Sequence, residues 1–150
     1  MADYVLGAPL QTTASGEIIP TELETAQWVN DADMGTPGSD AERTIYMAGH
    51  TSPNQSAAFN ALYDRATSTS HVLAGDEFLV TTEATVATGL EPLRYVVTGV
   101  EAYPKGVVAA DAESEVWRIV PGRLVILTCF QNPSGVRSVD NFVVYAHYTR

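Results

Sequence analysis

Short runs rich in β-branched and aromatic residues, separated by glycine and proline, constrain the fold of this chain more than any other feature. Val, Ile, Thr, Tyr and Phe are enriched in strands, whereas Gly and Pro clusters mark turns. Two further stretches, residues 21–30 and 56–66, have features typical of short helices. The pattern predicts a mainly β fold: a closed or nearly closed β-barrel with two short helices. The predicted strands cover residues 4–6, 17–19, 43–48, 77–82, 93–103, 123–129 and 142–148.

The last two of these runs are predicted to be neighbours in the sheet. Residues 124–127 are apolar on both faces, which favours a strand that is covered on both sides. The final run is equally apolar, and only the short segment 130–141 separates the two. We therefore expect them to pair as antiparallel strands.

Composition limits the classes of function. The length of 150 residues and a hydrophobic content of 45% suit one domain, residues 1–150, with a core of its own. A formal charge of −10 disfavours binding to nucleic acid phosphates. No apolar stretch approaches the roughly 20 residues that span a bilayer. The single cysteine excludes an internal disulfide and a zinc site built from cysteines.

That single cysteine, Cys129, ends a predicted strand just before a turn-rich loop. His50 ends another predicted strand in the same way, after Ala48 and Gly49. A thiol and an imidazole at the mouths of two strands are what a cysteine nucleophile with a histidine partner requires. The alternative is a buried cysteine that acts as a small hydrophobic residue, with His50 as a capping polar group.

Arg137 lies eight residues after Cys129, near the start of the returning strand. Its guanidinium could offer several fixed donors to an oxyanion or a peptide carbonyl. The alternative is a solvated loop charge. Arg123 shares a strand face with Cys129, but six residues of strand place it roughly 20 Å away, which is too far to act.

Taken together, these motifs resemble those of the sortases, most closely the actinobacterial class F group. Residues 125–129, Val-Ile-Leu-Thr-Cys, are similar to the sortase motif Thr-Leu-x-Thr-Cys, and residues 48–50 match its Ala-Gly-His. Residues 103–105, Tyr-Pro-Lys, resemble a class F strand end, and residues 140–146 resemble the last class F strand. Trp28, ahead of a Pro-Gly segment, also fits. The resemblance covers almost the whole chain.

The resemblance implies a closed eight-stranded β-barrel with a Cys–His–Arg site and no cofactor or metal. By position, Cys129 is the nucleophile, His50 the acid/base and Arg137 the nearest match to the arginine. The family arginine lies closer to the Asp-Asn pair, at the position that Val139 occupies here. Thr128, beside the cysteine, is expected to bind substrate or shape its pocket; the alternative is a packed strand residue.

The implied activity is that of a cysteine transpeptidase. Such an enzyme cleaves a Leu-Pro-x-Thr-Gly-like sorting signal after Thr, forms a thioacyl-enzyme, and passes the acyl group to an amine acceptor such as a cell-wall precursor. The resemblance also implies a monomer at the extracellular face of the cytoplasmic membrane, with an anchor that is absent from residues 1–150. Two alternatives stay open: a cysteine peptidase that uses water as acceptor, and a non-catalytic β-barrel that binds peptides.

Overall fold

The computed structural model describes residues 9–37, 42–64, 66–67, 69–81, 83–130 and 140–149. Most of the regular structure is β, because the long Val- and Tyr-rich runs find partners across one sheet. Within the described residues, two short α-helices and two single 3₁₀ turns lie between the strands. The strands are β1 (Gln27–Trp28), β2 (Ile45–Ala48), β3 (Tyr63–Asp64), β4 (Thr69–Ser70), β5 (Glu77–Val80), β6 (Leu93–Pro104), β7 (Arg123–Phe130) and β8 (Asp140–Thr149). The helices are α1 (Glu83–Ala87) and α2 (Val107–Ala110), and the 3₁₀ turns are Asn60–Leu62 and Glu115–Trp117.

Six strands form one sheet in the order β1-β2-β7-β8-β6-β5, and β3 pairs with β4 in a separate ribbon. The predicted antiparallel pairing of the last two runs is confirmed: β7 and β8 pair from Arg123–His147 to Phe130–Asp140. β2 and β7 are parallel, whereas the other neighbours in the sheet are antiparallel. A parallel pair requires a long crossover, and residues 49–122 supply it.

The prediction of a closed eight-stranded barrel is wrong for the part of the chain that the structure describes. The sheet is a half-barrel of six strands whose edges are β1 and β5. The barrel does not close because β3 and β4 pair with each other and not with the edge strands of the six-stranded sheet. The segment that carries them instead packs against one face of the sheet, where Phe59, Leu62 and Tyr63 are fully buried.

The two apolar faces of the sheet are named here after one tyrosine each. The Tyr63 face carries alternate strand residues such as Ile45, Leu124 and Phe142, packed with Tyr63. The Tyr145 face carries the strand residues between them, and α2 and the second 3₁₀ turn pack on it. The buried cluster formed there consists of Val29, Tyr46, Val108, Val116, Val125, Val143 and Tyr145. Covering both faces explains why β7 and β8 have apolar residues at consecutive positions.

Both helices occur at positions other than those predicted. Residues 21–30 form bends and then β1, because the buried Gln27 Oε1 accepts hydrogen bonds from the amides of Thr21 and Glu22. Residues 56–66 give only a 3₁₀ turn followed by β3. There the Leu62 carbonyl accepts from His71 N, and Ala66 N donates to Asp64 Oδ1, so no helical bond joins the two. Tertiary partners outweighed the local helix signal in both stretches.

Among the other predicted strands, residues 17–19 form no ladder, and residues 4–6 lie outside the described residues. No helix in the described part of the chain is long and apolar enough to cross a membrane.

Candidate active site

The parallel pair of β2 and β7 sets the geometry of the site. Its register joins Ile45 to Leu124 and Ala48 to Leu127, so both strands run in the same direction and end at the same edge of the sheet. His50 follows β2 by two residues, and Cys129 lies two residues beyond Leu127. Neighbouring strands lie about 4.8 Å apart. The register therefore carries the backbone of His50 to the position beside Cys129.

Hydrogen bonds show that this register continues past the end of β2. Gly49 N donates to the Leu127 carbonyl at 3.2 Å. Two residues further along each chain, Thr51 Oγ1 donates to the Cys129 carbonyl at 2.7 Å. Thr128 Oγ1 donates to the Gly49 carbonyl at 2.7 Å. Hydrogen bonds on both sides of His50 thus join residues 49–51, which follow β2, to the end of β7.

Cys129 is a free, half-buried cysteine. Its carbonyl accepts hydrogen bonds from Thr51 Oγ1 and from Tyr63 Oη at 3.3 Å, which fixes its backbone. Strand alternation from Val125 and Leu127 places the Cys129 side chain on the Tyr145 face. Its partner across the β7–β8 ladder is Asn141. A half-exposed thiol on a fixed backbone can meet a substrate from that face.

His50 is half-buried, and its Nε2 lies 2.9 Å from the Pro20 carbonyl oxygen. A carbonyl oxygen can only accept, so the proton of this bond belongs to Nε2. This bond orients the ring and, in the neutral imidazole, leaves Nδ1 as the acceptor. Ile18, two residues before Pro20, packs on the Tyr145 face. A histidine held in one orientation with a second nitrogen left to exchange protons suits an acid/base role.

Gly49 explains how the histidine strand approaches its neighbours so closely. A Cβ at this position would lie 2.7 Å from Phe59 Cε2 and 3.2 Å from the Ala58 Cβ. Phe59 is 1% exposed and cannot move aside without disturbing the core. Only glycine therefore fits between Ala48 and His50 without displacing either Phe59 or the histidine strand.

The remaining predicted site residues have different outcomes. Thr128 is 6% exposed, and its hydroxyl is engaged with the Gly49 carbonyl, so it joins the two strand ends; contact with substrate stays a prediction. Arg137 lies outside the described residues, and its role stays a prediction. The structure agrees that Arg123 is remote, since it begins β7 and faces the 3₁₀ turn at Glu115–Trp117.

A second feature of the Tyr145 face is the segment of residues 105–122, which packs over the first half of β7. Val108, Val116 and Trp117 contribute to the apolar cluster on that face. Arg123 is 5% exposed; its guanidinium donates to Glu115 Oε1 at 2.9 Å and to the carbonyls of Glu115, Val116 and Arg118. The segment is therefore anchored at the end of β7 opposite Cys129.

Next to Asn141, on β6, a network of hydroxyls forms on the same face. Tyr103 pairs in register with Asn141, and its Oη donates to Glu101 Oε2 at 2.5 Å. The Tyr145 hydroxyl lies 2.9 Å from Tyr103 Oη and serves as donor, because the Tyr103 proton is already used. Burial, followed by the hydrogen bond with Tyr103, raises the pKa of Tyr145. Both hydroxyls are neutral in the physiological range.

Two surface cavities, of about 380 and 440 Å³, lie along β6, and neither is lined by His50 or Cys129. No group of three or more metal-ligating side chains occurs among the described residues.

Sequence reasoning missed four residues of this site. Pro20, Thr51, Tyr63 and Asn141 lie far apart in the sequence and reach the two strand ends only through the fold. Only Asn141 carried a local signal: Asn is depleted in strands, and a polar Asn directly before an apolar strand run is therefore unusual.

Comparisons with known proteins extend this description at the level of the fold. No family model and no curated protein sequence matches this chain. Among solved structures, sortase A of Listeria monocytogenes is 17% identical with a TM-score of 0.55, over 83% of this chain and 68% of that one. A lid mutant of Corynebacterium diphtheriae sortase A is 16% identical with a TM-score of 0.60, over 89% and 61%. A Clostridium perfringens sortase D5 transpeptidase is 17% identical with a TM-score of 0.53, over 84% and 62%.

The fold is therefore a sortase-like fold, shared with sortases of several classes. The likeness is one of fold at low sequence identity, and the chain spans between 61% and 68% of the three structures compared.

Proposed function

We propose that this chain is a sortase-type cysteine transpeptidase, with Cys129 as nucleophile and His50 as acid/base. One observation carries the proposal: the parallel register of β2 and β7 continues through Gly49 and Thr51, which brings the histidine and the only cysteine to one edge of the sheet. The sortase-like fold and the motif at residues 48–50 support it.

The first half of the reaction is acyl transfer to the thiol. The thiolate is the reactive form of a cysteine, and an adjacent imidazolium favours it. Cys129 Sγ attacks the carbonyl carbon of the substrate Thr, and the C=O π electrons move to oxygen. When this intermediate collapses, the C–N bond breaks and the leaving amine takes a proton from the His50 imidazolium. The products are a thioacyl-enzyme and a peptide with a new amino terminus.

The second half restores the enzyme. His50, now neutral, accepts a proton from the incoming primary amine as the amine attacks the thioester carbon. The C–S bond breaks, the thiolate leaves, and an amide bond joins the sorting signal to the acceptor. The carbonyl of Pro20, which accepts from Nε2, holds the ring in one orientation in each half.

The substrate and the setting belong to the same proposal. A Leu-Pro-x-Thr-Gly-like peptide as donor, a cell-wall amine as acceptor, and action at the extracellular face of the cytoplasmic membrane are supported by the motif resemblance of residues 125–129 and 48–50. A class F assignment is supported by residues 103–105 and 140–146. Arg137 is proposed to stabilise the oxyanion or to bind the peptide, and Thr128 is proposed to bind the substrate or shape its pocket.

The direct test is mass spectrometry of the protein with a Leu-Pro-x-Thr-Gly peptide library, with and without glycine as acceptor. We expect cleavage after Thr and, with glycine, a peptide product extended through a new amide bond. Cleavage to the free acid alone would favour the cysteine peptidase. An intact library, together with a thiol that resists iodoacetamide, would leave a non-catalytic peptide-binding protein.

A further inference from the structure

We propose that Asn141 is a third catalytic residue, whose side-chain amide donates a hydrogen bond to the oxyanion of the tetrahedral intermediate. The inference rests on the function proposed above and adds a residue that the sortase resemblance does not supply. It starts from the β7–β8 ladder, in which Asn141 is the partner of Cys129.

The register places the two side chains side by side. Residues directly opposite each other in an antiparallel pair share a face, with Cβ atoms about 4.5–5.5 Å apart. Alternation from Val143 and Tyr145 confirms that Asn141 lies on the Tyr145 face with Cys129. An acyl carbon bonded to Sγ would therefore lie within reach of the Asn141 amide.

The order of the three strands gives His50 and Asn141 different roles. In the sheet order, β7 lies between β2 and β8. His50 therefore approaches the thiol from one side, and Asn141 approaches it from the other. The histidine exchanges the proton of the leaving amine, while the amide meets the negative charge that develops on oxygen.

Asn141 has the capacity for this role. The structure shows no hydrogen bond of its side chain to another described residue, although it is half-buried at the start of β8. Asn is disfavoured in strands, and the residues from Phe142 to Ala146 that follow are all buried and apolar. Its amide is not among the buried unsatisfied groups of the described residues, so its donors face solvent and an acceptor on a bound substrate can reach them.

The hydroxyl donors of Tyr103 and Thr128, close to Cys129 in the sheet, are already engaged. The Tyr103 hydroxyl, next in the row beyond Asn141, donates to Glu101 and accepts from Tyr145. The Thr128 hydroxyl belongs to the opposite, Tyr63 face and donates to the Gly49 carbonyl. Of these three polar side chains around Cys129, Asn141 is the one with unused donors.

The step can be written atom by atom. As the Sγ–C bond forms, the C=O π pair becomes a lone pair on oxygen, and an Asn141 Nδ2–H points at that oxygen. The amide keeps its proton throughout. As the C–N bond breaks, the lone pair returns to the C=O bond and the hydrogen bond weakens. The interaction is strongest in the transition state and therefore acts on kcat.

A matched pair of variants, Asn141→Val and Asn141→Thr, tests the proposal. Both side chains are β-branched, suit a strand and have similar volumes, but only threonine carries a donor. For the library peptide that the wild type cleaves best, we expect Asn141→Val to lower kcat by about 10²–10³-fold with little change in KM. Asn141→Thr should recover a substantial part of that loss.

A second measurement separates oxyanion stabilisation from an effect on the thiol. Alkylation of Cys129 by iodoacetamide forms no oxyanion, so its rate should agree within about threefold among the wild type, Asn141→Val and Asn141→Thr. Equal kcat for the two variants would overturn the proposal, as would a loss confined to KM or a matching loss of alkylation. If the wild type cleaves no peptide, the proposed function itself fails, and that result is distinct from these.

Discussion

Gly49 shows at the residue scale why the histidine strand has the sequence it has. Its missing side chain lets the chain pass Phe59 closely enough for Thr51 to reach the Cys129 carbonyl. The dipeptide before His50 is thus a packing requirement as well as a motif. The spacing between His50 and Cys129 depends on it.

We expect Gly49→Ala to lower the free energy of unfolding by about 1–3 kcal/mol, as overpacking of a core does, and to reduce turnover by displacing His50. Gly99→Ala is the control, because a Cβ there meets only Tyr145 Cδ2 at 4.0 Å. Urea unfolding of both variants measures the difference. Equal stability would show that Phe59 yields without cost.

The pair of candidate catalytic residues could be predicted from the sequence, whereas its supports could not. His50 and Cys129 each end an apolar run, and that pattern is visible locally. The Pro20 carbonyl contacts a ring nitrogen of His50, and Asn141 is the ladder partner of Cys129. Both contacts depend on which parts of the chain become neighbours in the fold. Parallel pairing across residues 49–122 leaves no local trace in the chain.

At the scale of elements, Arg123 holds residues 105–122 against β7. Its guanidinium stacks over the Tyr145 ring at 5.5 Å and donates to three backbone carbonyls and to Glu115. The end of β7 opposite Cys129 is thereby closed by a buried cation, and the apolar residues of α2 and the 3₁₀ turn stay on the Tyr145 face.

Arg123→Met should therefore lower the free energy of unfolding by about 2–3 kcal/mol, because several charge-assisted hydrogen bonds are lost. Arg118 also pairs with Glu115, at 3.1 Å, but its side chain is 66% exposed. Arg118→Met should cost less than about 1 kcal/mol, as exposed pairs do. Denaturant unfolding of the two variants tests this order, and equal losses would contradict the anchoring role.

Elements were predicted unevenly, for a physical reason. Long runs such as β6 and β8 carry enough strand-forming residues to be recognised, and their bounds agree closely with the prediction. The short helical signals at residues 21–30 and 56–66 were outweighed by partners such as Gln27 and the β3–β4 ribbon. Barrel closure was not predictable, because it depends on which edges meet.

The whole molecule buries several tyrosines, and this makes its stability sensitive to alkaline pH. Burial, followed by the charge of Tyr148, raises the pKa of Tyr95 from 10.0 to about 12. The folded state therefore holds this proton more tightly than the unfolded state. The resulting stability is fully present below pH 10 and is lost as the pH rises through about 12.

For Tyr95→Phe we expect the free energy of unfolding to fall less steeply between pH 10 and 12 than in the wild type. The difference in slope should correspond to about one proton. Between pH 7 and 9 the two proteins should show the same pH dependence. Denaturant unfolding across this range measures both slopes, and identical slopes above pH 10 would contradict the assignment.

The proposed function requires that the half-barrel bring His50 and Cys129 together for acyl transfer. Intact-protein mass spectrometry of the wild type, Cys129→Ala and His50→Ala with a Leu-Pro-x-Thr-Gly peptide, without any amine acceptor, tests this requirement. We predict that the wild type gains the mass of the acyl fragment ending in Thr. Cys129→Ala should gain nothing and cleave nothing, and His50→Ala should acylate far more slowly. Peptide cleavage by Cys129→Ala, or cleavage by a wild type acylated elsewhere, would contradict Cys129 as the nucleophile.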